Sequence, residues 1–381
     1  MDLSSLLSYC QAELPALLRC LCQAVEIESP SHSKPAVDRM AGFFARQFQR
    51  QGARVRLLPH PVAGSALLAE FWSARPAKRS RPLLVLGHLD TVWEIGTLQR
   101  MPFRIRAGRA YGPGILDMKS GIVCGLWAVR SLQAAAIKPS APVRFFLNSD
   151  EETGSQAFRR EIEREARSAR GVLVLEPAAA GGALKTARKG VGEFQIIARG
   201  RSSHAGISPE SGVNAIVELA RQILRLETFT QPRLGLTLNA GVIEGGTRSN
   251  VVPEFARVQV DVRIPRLRDA ALIERKISGL KPVHPEARLE ITGGIHRPPM
   301  ERRMTAALWR QARKLGRELG VKIEEASTGG GSDGNFTAAL GVPTLDGLGG
   351  VGGGAHARNE HVVIQELPRR AALLAALMAT V

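Results

Sequence analysis

The chain has 381 residues, of which 44% are hydrophobic and 23% charged. That balance belongs to a soluble globular protein long enough for two domains, and no apolar stretch reaches the roughly 20 residues needed to span a bilayer. The formal charge is +17 and aromatic residues make up 5%; the basic residues are scattered, with only short clusters such as Arg302–Arg317, so neither a basic block nor a stacking platform for nucleic acid is present.

Along the chain, residues 1–28 are interrupted by Asp2 and Glu13 and lack a basic stretch ahead of an apolar one. They read as a helix rather than a signal peptide, and the expected address is cytoplasmic. Cys10, Cys20 and Cys22 lie in this helix, and Cys124 lies further on. Without a CxxC pair they read as reduced, buried thiols rather than metal ligands. Apolar runs at Leu83–Gly87, Val143–Leu147 and Val172–Leu175 read as buried strands. Helical patterns occur around Lys119–Ala136 and Ser155–Ser168. The alternation predicts an α/β fold, with a mixed, mostly parallel sheet and helices on both faces.

The pattern changes near Lys189. There follow a strand (Gly192–Arg199), a helix (Gly212–Leu226), two strands (Leu236–Ile243, Ala256–Ile264), a helix (Asp269–Leu280) and a strand (Arg288–Thr292). This βαββαβ order predicts a ferredoxin-like α+β unit. Pro298 and Pro299 punctuate the chain. A helix (Met304–Leu319), strands at Lys322–Ala326 and Pro343–Leu345, and a final helix are then expected to rejoin the first sheet. The expected layout is one domain from residues 1–188 and 299–381, with residues 189–298 inserted as a second.

Chemistry gathers at the strand ends. His88-Leu89-Asp90, Asp150-Glu151-Glu152 and Glu176 each follow one of the buried strands, and ligands of open α/β sheets bind outside the carboxyl ends of strands. Asp117 precedes a predicted helix, and His356 follows the glycine run Gly349–Gly354. Singly, each has an ordinary explanation: a helix cap, a solvated acidic turn, a hydrogen-bonded histidine. Together they place several carboxylates in one crevice, where they repel unless one protonates or a cation binds. Imidazole mixed with carboxylate suits zinc. Residues i and i+2 of a strand share a face, so Asp90 can accept the second ring N–H of His88, or a neighbouring group. Gly329-Gly330-Gly331-Ser332-Asp333-Gly334 satisfies GxGxxG, but no acid lies about twenty residues beyond it, so a dinucleotide loop is not expected.

Six segments, Gly87–Val92, Gly112–Lys119, Asp150–Ser155, Leu175–Pro177, Ser203–Gly206 and His356–Glu360, resemble in order and spacing the di-zinc peptidases and deacylases. That family includes glutamate carboxypeptidase (carboxypeptidase G), succinyl-diaminopimelate desuccinylase, acetylornithine deacetylase and aminoacylase. The resemblance implies two zinc ions per subunit, with cobalt or manganese as possible substitutes. Asp117 would bridge them, His88 and Glu176 completing one site and Glu152 and His356 the other. His361 competes with His356, which better fits the His-x-x-Asn-Glu pattern. Glu151 would be the general base and Asp90 would orient His88. The inserted domain would be a lid that forms a homodimer and brings His204 to the partner's oxyanion. Arg297, Asn250 and the Gly331 loop would hold the substrate carboxylate, with Arg263 as a companion. The implied activity is carboxypeptidase release of a C-terminal glutamate or similar residue from a small acidic peptide. The alternative is deacylation of N-acyl amino acids, and nucleic-acid and membrane partners are not expected.

Overall fold

Leu83–His88 is the axis of the larger sheet. All six of its residues are buried, and it pairs in parallel with Val143–Asn148 on one side and Gly171–Val174 on the other. The structure is a computed structural model that describes residues 3–72 and 81–381. Thr344–Leu345 extends the parallel side. Ala66–Phe71 and Arg54–Leu58 close the other flank as antiparallel strands. The sheet is therefore mixed and mostly parallel.

Both faces are covered, which is why the parallel strands Leu83–His88 and Gly171–Val174 read as apolar runs rather than alternating ones. Leu83, Val85, Phe145 and Leu173 face one core, with the helices Lys34–Arg50, Ser120–Ala134 and Glu366–Thr380. Leu84, Leu86, Phe146 and Val172 face the other, against Ile162 and Ala166 of the helix Arg159–Ser168. At Gly121 the helix Ser120–Ala134 lies against the strand ends. A Cβ there would collide with the Leu175 carbonyl oxygen, so only glycine allows this approach.

The sequence expectation of one N-terminal helix is corrected. Two helices, Leu3–Ala12 and Leu14–Val25, meet at Glu13, with a proline in the first turn of the second. Proline is tolerated there because its missing N–H would be unpaired in any case. Cys10, Cys20 and Cys124 are buried and all four thiols are free; burial pushes the thiols of Cys10, Cys20 and Cys124 up to about 12. A second correction concerns the strand expected at Lys322–Ala326. It forms at Glu325–Thr328 and does not rejoin the large sheet; it pairs with Leu184–Arg188 in a two-stranded sheet. Its residues are half-buried or exposed, so a position inside a doubly covered sheet does not suit them. A small sheet of Gly352–Gly353, His361–Val363, Arg109–Tyr111 and Arg104–Arg106 is also present. Its strands are too short to carry a periodic signal.

The chain divides into two compact units: residues 188–301 with 329–331, and the remainder. In the smaller unit the strands Gly190–Arg199, Thr237–Gly245, Phe255–Ile264 and Arg288–Arg297 alternate with the helices Ala215–Glu227 and Leu267–Ser278. The sheet is antiparallel, with Gly190–Arg199 and Phe255–Ile264 central, the ferredoxin-like topology. Phe194, Ile196, Val258, Val260 and Val262 point to one face and pack on Leu219, Leu226, Ile273 and Ile277. The period-2 strands and period-3.6 helices bury complementary stripes. Asn214 caps the first helix by accepting the Val217 N–H at 3.0 Å.

Candidate metal centre

His88 is the last residue of the central strand and is buried. Its Nε2 lies 3.2 Å from Asp117 Oδ1 and 3.7 Å from Glu176 Oε1. The other oxygen of Asp117 faces His356, whose Nε2 is 3.4 Å from Asp117 Oδ2 and 3.4 Å from Glu152 Oε2. One aspartate thus joins two groups, His88–Asp117–Glu176 and Asp117–Glu152–His356, and within each the donor atoms lie within 4.8 Å of one another. Zinc bonds of about 2.0–2.1 Å in a tetrahedron put neighbouring ligand atoms about 3.3 Å apart. The observed separations fit that spacing. Glu152 Oε1 is buried and has no hydrogen-bond partner, which leaves an acceptor available to a cation.

The charges tell the same story. Burial pushes the Asp117 carboxyl up, but hydrogen bonds with His356 and His88 overcome this and hold it well below the usual carboxylate range. Burial opposes charge on His88, yet the hydrogen bonds with Asp117 and Asp90 raise it well above its ordinary value. Asp117 and Glu152 raise His356 to about 10. Burial raises Glu152 above the ordinary range. Without metal, protons on the two imidazoles stand in for the cations the carboxylates require.

The surrounding shell orients these groups. His88 Nδ1 lies 3.0 Å from the Asp90 carbonyl oxygen and 3.4 Å from its carboxylate. A carbonyl can only accept, so Nδ1 carries the proton and Nε2 faces Asp117 and Glu176. The carboxylate of Asp90 accepts the N–H groups of Glu151 at 3.2 Å and Glu152 at 3.1 Å, and the Ser31 hydroxyl at 2.7 Å. Asp90 therefore fixes the ring mainly through its backbone, and its side chain fixes the acidic turn Glu151–Thr153.

The sequence pattern assigns no role to Glu360, although it ends the segment His356–Glu360. It is buried and accepts from the Trp93 indole at 2.7 Å and from the N–H groups of Gly114, Leu116 and Asp117 at 2.9, 2.8 and 3.1 Å. It thereby holds the turn that presents Asp117. Arg370 was also missed. Buried in the last helix, it donates to the carbonyls of Gly349 at 2.8 Å, Gly182 at 3.1 Å and Gly347. Gly349 in turn donates to the Glu176 carbonyl at 2.9 Å. Nothing local in the sequence marks an arginine that serves only carbonyls. His361 belongs to neither metal group; its Nδ1 meets the Asn359 carbonyl at 2.9 Å and its ring faces Tyr111.

The remaining candidates divide between the units. Arg297 is buried at the end of its strand in the smaller unit, and a Cβ on Gly331 would come within 2.6 Å of its Cδ. Arg188 donates to the carbonyls of Gly330 at 3.1 Å and Gly331 at 3.0 Å. In the larger unit, Asp333 accepts from Asn148 Nδ2 at 2.9 Å and from the Ser155 hydroxyl, so this loop acid serves the strand end. His204 is exposed and bridges to Val251 in the smaller unit, and the exposed Asn250 accepts the Ala205 N–H at 3.0 Å through its carbonyl. Arg263 is committed to Asp261 by a pair of bonds at 2.8 and 2.9 Å.

Paired imidazole–carboxylate groups sharing one aspartate, at the mouth of a mostly parallel sheet, define a metal-dependent hydrolase. The family model described as peptidase family M20/M25/M40 matches residues 84–380. The chain is 30% identical to carboxypeptidase G2 of Pseudomonas sp. (strain RS-16), over 96% of this chain and 89% of that one. It is 28% identical to the succinyl-diaminopimelate desuccinylase of Dechloromonas aromatica, over 80% and 85% of the two chains. Aminopeptidase PepT of Bacillus cereus shares the fold with a TM-score of 0.78 at 21% identity, over 96% and 98% of the chains. The protein belongs to peptidase family M20/M25/M40, and is a metal-dependent peptidase or amidohydrolase of that family. Among the described residues no helix is long and apolar enough to cross a membrane.

Metal must displace the imidazole protons. At neutral pH the raised His88 and His356 are charged without metal, so uptake of a divalent metal releases a proton from each. Affinity then rises with pH up to about 10, where His356 loses its proton unaided. Calorimetric titration in buffers of different ionisation enthalpy measures this release; a binding heat independent of buffer contradicts it.

Proposed function

We propose that the enzyme is a two-zinc carboxypeptidase that hydrolyses an amide bond to release a C-terminal glutamate or a similar amino acid. The observation that carries this reading is the pairing of Arg297 with the glycine loop. The Arg297 side chain lies against Gly331, where a Cβ would come within 2.6 Å of its Cδ and 3.5 Å of its Nε, and Arg188 secures the loop through its carbonyls. A buried arginine beside a glycine loop without side chains suits a carboxylate. The 30% identity to carboxypeptidase G2 over nearly the whole chain supports the same choice.

His88, Asp117 and Glu176 would hold one zinc, and Asp117, Glu152 and His356 the other. When bound, these ions would polarise the scissile carbonyl and lower the pKa of a water. Glu151, whose N–H is held by Asp90, takes a proton from that water as it attacks. It then gives the proton to the nitrogen as the C–N bond breaks, so amide and water become carboxylic acid and amine. His204 of a second copy would donate to the developing oxyanion, a contribution of about 10²–10³ in rate. Arg297, Asn250 and the Gly331 loop would hold the terminal carboxylate. Thr237–Gly245 is an edge strand with Val242 and Ile243 exposed. Pairing of two such edges would form the homodimer.

Zinc-loaded enzyme is expected to release glutamate from folate or a glutamyl-terminated dipeptide, and chelator to abolish the release. Hydrolysis of N-acetylornithine alone would instead make it an N-acyl amino acid deacylase using the same residues. Glu151→Gln should keep its metal and lose nearly all turnover; substantial residual activity removes Glu151 as the base. Mixed dimers of Glu151→Gln and His204→Ala should regain activity that neither variant has alone. Verified mixing without recovery contradicts a site shared between copies.

A further inference from the structure

A cavity of about 290 Å³ in the larger unit has no part in the mechanism above. Its volume is near the lower end of small-ligand pockets, about 300 Å³. Val92, Trp93, Thr97 and Met101 line it, together with Arg100 and Arg358. Trp93 and Met101 offer a flat indole and a thioether, surfaces suited to an apolar or aromatic group. The two arginines have a different character. Both are exposed, and among the described residues neither has an ion-pair or hydrogen-bond partner. The acid in the lining, Glu94, lies 3.3 Å from His32.

The cavity is joined to the metal centre by short links. Trp93 Nε1 donates to one oxygen of Glu360 at 2.7 Å, and the other oxygen accepts the Asp117 N–H at 3.1 Å. Val92 follows Asp90 by two residues, and Arg358 follows His356 by two. One wall of the cavity is thus two hydrogen bonds from the Asp117 backbone, and two of its residues lie two positions from residues of the metal centre. The carboxylate-binding residues of the leaving amino acid, as proposed above, are drawn from elsewhere in the chain.

We infer that this cavity is the subsite for the acyl side of the scissile amide, and that it takes an apolar acyl group of about benzoyl size ending in an anion. The apolar body would lie on Trp93 and Met101, and the far-end anion between Arg100 and Arg358. This rests on reading the metal centre as an amide hydrolase. It adds the substrate class on the acyl side, which the released amino acid leaves open.

The test is equilibrium binding without turnover. Zinc-loaded protein is titrated calorimetrically with 4-carbamoylbenzoate, whose amide stands in for the scissile bond and whose carboxylate stands in for the far-end anion. Benzamide, which lacks that carboxylate, is the comparison. Exposed ion pairs contribute roughly threefold to fivefold each, so the carboxylate should strengthen binding about tenfold in the wild type. Arg100→Ala/Arg358→Ala should erase that preference while keeping metal content and melting temperature unchanged. Equal affinity for the two probes in the wild type overturns the inference, as does failure of both to bind at millimolar concentration. A preference that survives the double substitution also overturns it, because the carboxylate is then held elsewhere, at the metals for example. Absence of glutamate release would count against the proposed activity and leave this binding result standing, and the reverse holds equally.

Discussion

Carboxylates crowded around one point are the constraint on which the rest of this molecule depends. Asp117, Glu152 and Glu176 converge with His88 and His356, and Asp90 lies directly behind them. Three acids at such range cannot all ionise without positive charge among them. The folded chain meets that demand with protons on two histidines in the absence of metal. Divalent cations would meet it better, because they would satisfy the same oxygens and also the buried Glu152 oxygen that otherwise has no partner.

Much of the larger unit serves to keep these groups in place. The parallel strands end together, so that His88, the acidic turn and Glu176 project from one edge of the sheet. Buried charges form the next layer. Asp90 ties His88 to the Glu151–Glu152 turn, Glu360 gathers the backbone around Asp117, and Arg370 holds the loop beside Glu176. Lys119 is secured the same way, donating to the carbonyls of Ile27 at 3.0 Å and Pro113 at 3.2 Å, with burial lowering it to about 8. Each such group is expensive to bury unless fully hydrogen-bonded. Together they exchange that cost for ligand geometry fixed before metal arrives.

The sequence disclosed the parts of this arrangement that repeat or stand at ends. Leu83–Gly87 is an uninterrupted apolar run and Val143–Leu147 is broken only by Arg144, because both faces of the sheet are covered, and the acids that follow them stand out by contrast. The alternation through Phe255–Ile264 was equally plain, because one face of that strand is buried and the other is not. What stayed hidden was non-local. Arg370 lies in an apolar helix and contacts carbonyls more than twenty residues away in sequence, a pairing without a local signal. The strand at Glu325–Thr328 is short and partly exposed, so its partner could not be read from its pattern. Asp90 was legible as a supporting residue, but its division of labour between carbonyl and carboxylate depends on the turn beyond it.

The central claim is that Asp117 belongs to two metal sites at once. Metal content per subunit, measured on wild type, His356→Ala and Asp117→Asn after zinc loading and removal of free metal, tests it most directly. The account predicts two zinc ions in the wild type, one in His356→Ala and neither retained in Asp117→Asn, with all three proteins folded. A folded Asp117→Asn protein that keeps two zinc ions, or a wild type that takes up only one, would contradict it.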